Sequence, residues 1–124
     1  MLTLFTSCTD SRLKAIVISG YYCTFRDSIL ALHHCPCNYV PGMARFGEMS
    51  DVATLLAPRP VLIEAGTRDP IFPLEAVKKA VETLRRHYAV FEAPADRVQT
   101  DIFEGRHQIS GRIAYDFLAH HLGL

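Results

Sequence analysis

Val61-Leu-Ile-Glu-Ala-Gly66-Thr-Arg-Asp69-Pro-Ile-Phe-Pro73 decides how the rest of the chain is understood. Its first five residues form a near-continuous apolar run, preceded by Ala57-Pro-Arg-Pro60 and stopped by Gly66. Such a run fits a parallel strand covered on both faces. Lys14-Ala-Ile-Val-Ile-Ser19 has the same character and stops at Gly20, and Val98-Gln-Thr-Asp-Ile-Phe103 alternates before Gly105. Between the second and third strands, Glu75–Tyr88 places Val77, Ala80, Val81, Leu84 and Tyr88 on one face, the 3.6-residue period of an amphipathic helix. A last helix over Arg112–Leu122, capped by Ser110, would turn Ile113, Phe117, Leu118 and Leu122 inward. Ser50–Ala57 fits a short helix with a Ser cap, and Leu2–Cys8 the end of a further one. Strands alternating with helices imply crossover connections and a parallel sheet, an α/β fold in a single domain, residues 1–124. Gly20–Met49 has no strong periodicity beyond a turn or two around Phe25–Leu32. A segment of that length is usually functional or an interface.

Composition narrows the function classes. Hydrophobic residues make up 49% of the 124 positions and charged residues 21%, a globular balance. Thirteen Lys and Arg offset thirteen Asp and Glu, so the basic excess of a nucleic-acid binder is missing. Uncharged stretches fall short of the ~18 residues of a membrane span, and no signal peptide stands at the start. Four cysteines in a chain able to build a core suggest a reducing, cytoplasmic setting rather than a disulfide scaffold. No G-x-G-x-x-G or P-loop is present, so no nucleotide cofactor is expected.

In an open parallel sheet, ligands gather at the carboxyl ends of the strands. Asp69 follows the second strand and His107, in Glu104-Gly-Arg-His107, follows the third. Alone, each could be an ordinary loop residue, a turn residue before proline in the case of Asp69. Together they could meet at one edge. A carboxylate bound to imidazole Nδ1–H fixes the tautomer and leaves Nε2 as a base.

These residues carry a resemblance that extends over nearly the whole chain. Gly66-Thr-Arg-Asp69-Pro-Ile-Phe-Pro73 and Phe103-Glu-Gly-Arg-His107 resemble the acid and histidine loops of α/β-hydrolases. Ala57-Pro-Arg-Pro-Val-Leu-Ile-Glu64 and His33-His-Cys-Pro-Cys-Asn-Tyr-Val-Pro-Gly42 add to the likeness. The branch is that of dienelactone hydrolase and acetyl xylan esterase (cephalosporin-C deacetylase-like). The resemblance implies the C-terminal portion of that fold, about three parallel strands with flanking helices. It makes Asp69 the triad acid and His107 the triad base, acting on a small-molecule carboxylic ester. The family's nucleophile sits in G-x-S-x-G ahead of both. None of the serines, at 7, 11, 19, 28, 50 and 110, has that context. The resemblance places the elbow just before Met1, so the expectation is a serine-hydrolase part that is inactive alone. The alternative is a non-catalytic remnant acting as an interaction module.

Other candidates rank lower. His33, His34, Cys35 and Cys37 are possible metal ligands, but C-P-C is tighter than zinc-site spacing, so no metal is expected. Cys23 or Cys35 as a nucleophile lacks a strand–turn–helix context. Arg85-Arg86 suits a solvated helix face, and His120-His121 the negative end of the last helix. Ala15-Ile-Val-Ile18 would form an unprotected sheet edge, and with the apolar Gly20–Met49 segment it points to a homo-oligomer rather than an isolated monomer.

Overall fold

The computed structural model describes residues 1–124. Helix α1 (Leu2–Thr9) leads into strand β1 (Ile16–Ser19). A long irregular segment follows, then helix α2 (Met49–Ala53), strand β2 (Val61–Gly66), helix α3 (Leu74–Val90), strand β3 (Val98–Phe103) and helix α4 (Ala114–Leu122). The three strands form one parallel sheet in the order β1-β2-β3. This is the α/β architecture expected from the alternating pattern.

The sheet separates two unequal layers. Ile16, Ile18, Val61, Ile63 and Ala65 belong to a cluster of 22 buried residues that includes Leu4 of α1, Met49 and Ala53 of α2, and the inner face of α3. All five residues expected inward on α3 are buried. On the other face Leu62 meets Ala114 and Phe117 of α4, with Ala15, Val17 and Leu118 at the margin. Of the residues expected inward, Ile113, which precedes α4, and Leu122, in its last turn, are exposed.

Two expected caps are corrected. Ser50 does not cap α2. Glu48 does, its carboxylate accepting from Met49 N–H while Asp51 bonds back to Glu48 N–H. The same Glu48 carboxylate accepts from Phe25 N–H at 2.5 Å and Arg26 N–H at 3.2 Å, so it also closes the 25–48 loop. Ser110 does not cap α4, which begins after Ile113. Its hydroxyl is used on Asp101 instead.

The Gly20–Met49 segment is ordered without being periodic. Tyr21, Tyr22, Cys23, Phe25 and Ile29 are buried, while Leu30, Val40 and Phe46 are exposed. Ser28 Oγ donates to Ile71 O at 2.6 Å, tying the segment to the acid loop. Arg59 holds the base of the fold. Its guanidinium donates to Ser7 O, Asp10 O and Leu13 O, fixing the end of α1 and the approach to β1 against β2. Thr54 Oγ1, 2.7 Å from His87 Nδ1, links α2 to α3. Arg85 and Arg86 lie on the exposed face of α3 as expected, Arg85 reaching Val98 O. No helix is long and apolar enough to cross a membrane.

Candidate active site

Parallel β2 and β3 end side by side, with Gly66 opposite Phe103 in register. Their following loops therefore leave from the same edge of the sheet, and two backbone bonds join them. Thr67 N–H donates to Phe103 O at 2.9 Å and Arg68 N–H to Gly105 O at 2.8 Å. This close approach needs the glycine at 66: a Cβ there would lie 2.3 Å from Arg106 O and 2.7 Å from Gly105 O.

Asp69 sits where the first loop turns. Its Oδ1 accepts from Ile71 and Phe72 N–H, each at 3.0 Å, an arrangement in which the side chain closes its own turn. Its Oδ2 is left to face His107 Nδ1 at 2.8 Å. The Asp69 side chain is 2% exposed and that of His107 46%, so the carboxylate is sheltered while the imidazole opens outward. The structure thus brings together the two residues singled out from the sequence.

The imidazole is held on more than one side. Phe72 stacks on it with ring centroids 5.5 Å apart and planes inclined by 12°. Phe72 is itself braced by Tyr21 at 5.5 Å and by His34 at 5.2 Å. At Gly20, where φ is +59°, a Cβ would stand 3.3 Å from His107 Cε1 and 3.4 Å from Nδ1. With Nδ1–H committed to Asp69, a neutral His107 carries its lone pair on Nε2. His107 lines a cavity of about 520 Å³ together with Ser19, Tyr21, His33, His34 and Cys35. Burial pushes the Tyr21 hydroxyl up to about 12, so this wall is a neutral phenol at ordinary pH. Burial, and then the positive charge of neighbouring histidines, pushes His34 below the ordinary imidazole value.

The remaining candidates fall elsewhere. Cys23 lies in the core, fully buried, its thiol pushed up to about 11 by burial, which removes it as a nucleophile. Cys35 and Cys37 are exposed free thiols. No three His, Cys, Asp or Glu side chains converge in a way that could hold a metal ion. Ser19 borders the cavity, but its hydroxyl donates to Glu64 at 2.5 Å rather than to His107. His120 and His121 lie in the last turn of α4 as expected; burial first, then the neighbouring His120 and Arg97 charges, push the His121 pKa down, and its ring packs against Phe117. Glu64, overlooked within its apolar run, is 1% exposed and bonded to Ser19, Ser110 and Gly111.

No family model matches the sequence, and no curated protein matches it. Solved structures do match. A carbohydrate esterase family 15 glucuronoyl esterase from Caldicellulosiruptor kristjansonii superposes with a TM-score of 0.72 at 16% identity, over 98% of this chain and 40% of its own. Methylesterase BT1017 gives 0.70 at 23% identity, over 98% and 27%. TT1662 from Thermus thermophilus gives 0.63 at 24% identity, over 98% and 50%. The chain therefore spans half or less of the length of these proteins, and what it shares with them is the architecture: three parallel strands with flanking helices that form the C-terminal part of the α/β-hydrolase fold.

Proposed function

We propose that this chain is the acid- and histidine-bearing part of a serine hydrolase acting on small-molecule carboxylic esters. The observation that carries the proposal is the 2.8 Å contact between His107 Nδ1 and a sheltered Asp69 carboxylate at the carboxyl edge of a parallel sheet. In this role Asp69 holds the tautomer and steadies the imidazolium. Nε2 removes the proton of a serine hydroxyl as it attacks the ester carbonyl, then returns a proton to the departing alcohol. The α/β-hydrolase resemblance puts that serine in a G-x-S-x-G elbow, a motif these 124 residues do not contain. Esterases among the structural neighbours support the ester class.

The test has two arms. The 124-residue chain and its His107→Ala variant are compared on a small activated acetate ester, and the expected rates are equal. A polypeptide in which an elbow-bearing segment precedes Met1 should cleave the ester in a His107-dependent way. A His107-dependent rate in the short chain would mean a nucleophile within it. No such rate in the longer polypeptide would sink the hydrolase reading.

The alternative, an interaction module, draws on one observation: β1 pairs only with β2, so its other side is an open edge. On this reading the chain self-associates or pairs with another chain along Ile16–Ser19. Light scattering at micromolar concentration should show a dimer or larger species, and a monodisperse 13.9 kDa particle would count against it.

A further inference from the structure

We propose that Glu64, together with Asp101 beside it on β3, is the positioning device of the histidine loop, holding it from below so that His107 stays on Asp69. The proposal rests on the hydrolase reading for its purpose, and on the sheet for its geometry. Ser19, Glu64 and Asp101 are register partners across β1, β2 and β3. They form a polar row at the carboxyl end of the face that Leu62 shares with α4. Glu64 is 1% exposed and Asp101 3%.

Buried carboxylates at these positions are costly unless donors saturate them. Nearly all the donors come from one place. Glu64 Oε1 accepts from Gly111 N–H at 2.8 Å, and Oε2 from Ser110 N–H at 3.3 Å and Ser19 Oγ at 2.5 Å. Asp101 Oδ2 accepts from Ser110 Oγ at 2.5 Å, and the Arg112 guanidinium bonds both Asp101 oxygens. The turn over residues 110–112 is therefore seized by two strands at once. Gly111, with φ of +71°, lets the backbone present consecutive N–H groups to one carboxylate. At its other end the loop is fixed by Arg68 N–H on Gly105 O. Only residues 106–109 lie between the two anchors, and His107 is among them.

Apolar residues at 64 and 101 would cover the same surface without the desolvation cost, but they would not specify where the loop lies. Donors on the loop are what offset the cost, so the carboxylates are satisfied only when the loop is in place. Glu64 and Asp101 thus act through the loop on the orientation of His107, without touching a substrate.

The experiment is NMR on the isotope-labelled 124-residue chain, with Glu64→Gln, Ser110→Ala and Ser110→Thr. Two signals matter: the His107 Nδ1–H proton bonded to Asp69, and the amide exchange of Gly111 set against Ile63 in β2. Ser110→Ala removes one hydroxyl at a half-buried site and leaves the strands intact. It should raise Gly111 exchange about tenfold and weaken or shift the Nδ1–H signal, with Ile63 unchanged. Ser110→Thr should restore both signals. Glu64→Gln should act in the same direction as Ser110→Ala. An unchanged His107 signal in Ser110→Ala overturns the proposal, even if Gly111 exchanges faster, because the row would then stabilise the turn without orienting the histidine. If Glu64→Gln loosens Ile63 as well, Ser110→Ala alone decides. Neither signal needs a nucleophile, so failure here is distinct from failure of the ester-cleavage test.

Discussion

Ile16, Ile18, Val61, Ile63 and Ala65 turn to one face of the sheet and meet three helices. The residues alternating with them turn to the other, where Val17 and Leu62 give way to Ser19, Glu64 and Asp101. The first face is apolar along β1 and β2 and supplies most of the burial. The second is apolar only where α4 covers it, and at the carboxyl edge it becomes a row of acceptors bonded to the histidine loop. Stability and placement are thus divided between the two sides of the same strands. Period-2 alternation makes this division possible, since neighbouring residues on one strand serve different layers.

The sharpest way to break this comparison is to delete equivalent bulk on each side. Ile63→Ala should cost about 4 kcal/mol, because the residue is 1% exposed within the 22-residue cluster, where surrounding side chains cannot collapse into the gap. Leu62→Ala, next in sequence but facing the three-residue cluster under α4, should cost about 2.5 kcal/mol, because α4 can settle onto the space. Urea denaturation of both variants measures the difference. Equal costs, or the reverse order, would mean that the second face carries as much of the fold as the first.

An effect smaller than that of Ile63→Ala should follow from Gly66→Ala, at the point where both layers end and the two loops cross. The added methyl would meet backbone, Arg106 O at 2.3 Å and Gly105 O at 2.7 Å, so the histidine loop has to move. The expected loss is about 2–3 kcal/mol. It should come with separation of His107 from Asp69, visible as loss of the Nδ1–H proton signal. Ile63→Ala should leave that signal in place. Loss of the signal in both variants would show that core packing, and not loop contact, holds the pair.

Much of this arrangement is legible in the amino-acid sequence itself. The β-branched runs ending at Gly20 and Gly66 marked β1 and β2. The period of Val77, Ala80, Val81, Leu84 and Tyr88 marked α3, and the order of Asp69 and His107 after consecutive strands marked the pair that meets at the sheet edge. The polar row was not legible, because Glu64 stands in an otherwise apolar run and was absorbed into it. An ionisable residue inside a strand buried on both faces needs partners, and that requirement was the signal available. Ser110 looked like a helix cap because Ser favours that position. Tertiary demand from Asp101 took its hydroxyl and pushed the start of α4 to Ala114. Glu48 replaced Ser50 for a similar reason, since one carboxylate could serve both a helix start and the Phe25–Arg26 backbone. Gly20–Met49 gave no period because scattered aromatic residues and side-chain-to-backbone bonds order it, and these leave no repeat in sequence.

The mildest test uses pH, because a histidine packed against the apolar cluster and an aspartate of the polar row titrate in different windows. On the apolar side, His34 packs edge-on against Phe72, and burial pushes its pKa below the unfolded value of 6.5. The unfolded chain then binds the proton more readily than the folded one. Stability is complete above pH 6.5 and declines as pH falls through that value toward the folded pKa. On the polar side, Arg112 and then Ser110 hold Asp101 below its ordinary value of 3.8. Its contribution is complete above pH 3.8 and is lost only as pH falls below that, through the folded pKa. Calorimetry should therefore show Tm declining as pH falls through 6.5, a decline reduced in His34→Asn. Part of the decline left in that variant belongs to His121 and to the Met1 amine, both of which burial also pushes down. A second decline, starting below pH 3.8, should be reduced in Asp101→Asn and unaffected by the histidine change. If His34→Asn keeps the full slope between pH 7 and 5.5, His34 is not the group that couples the apolar side to pH. The division of the two faces would then have to rest on the Ile63 and Leu62 variants alone.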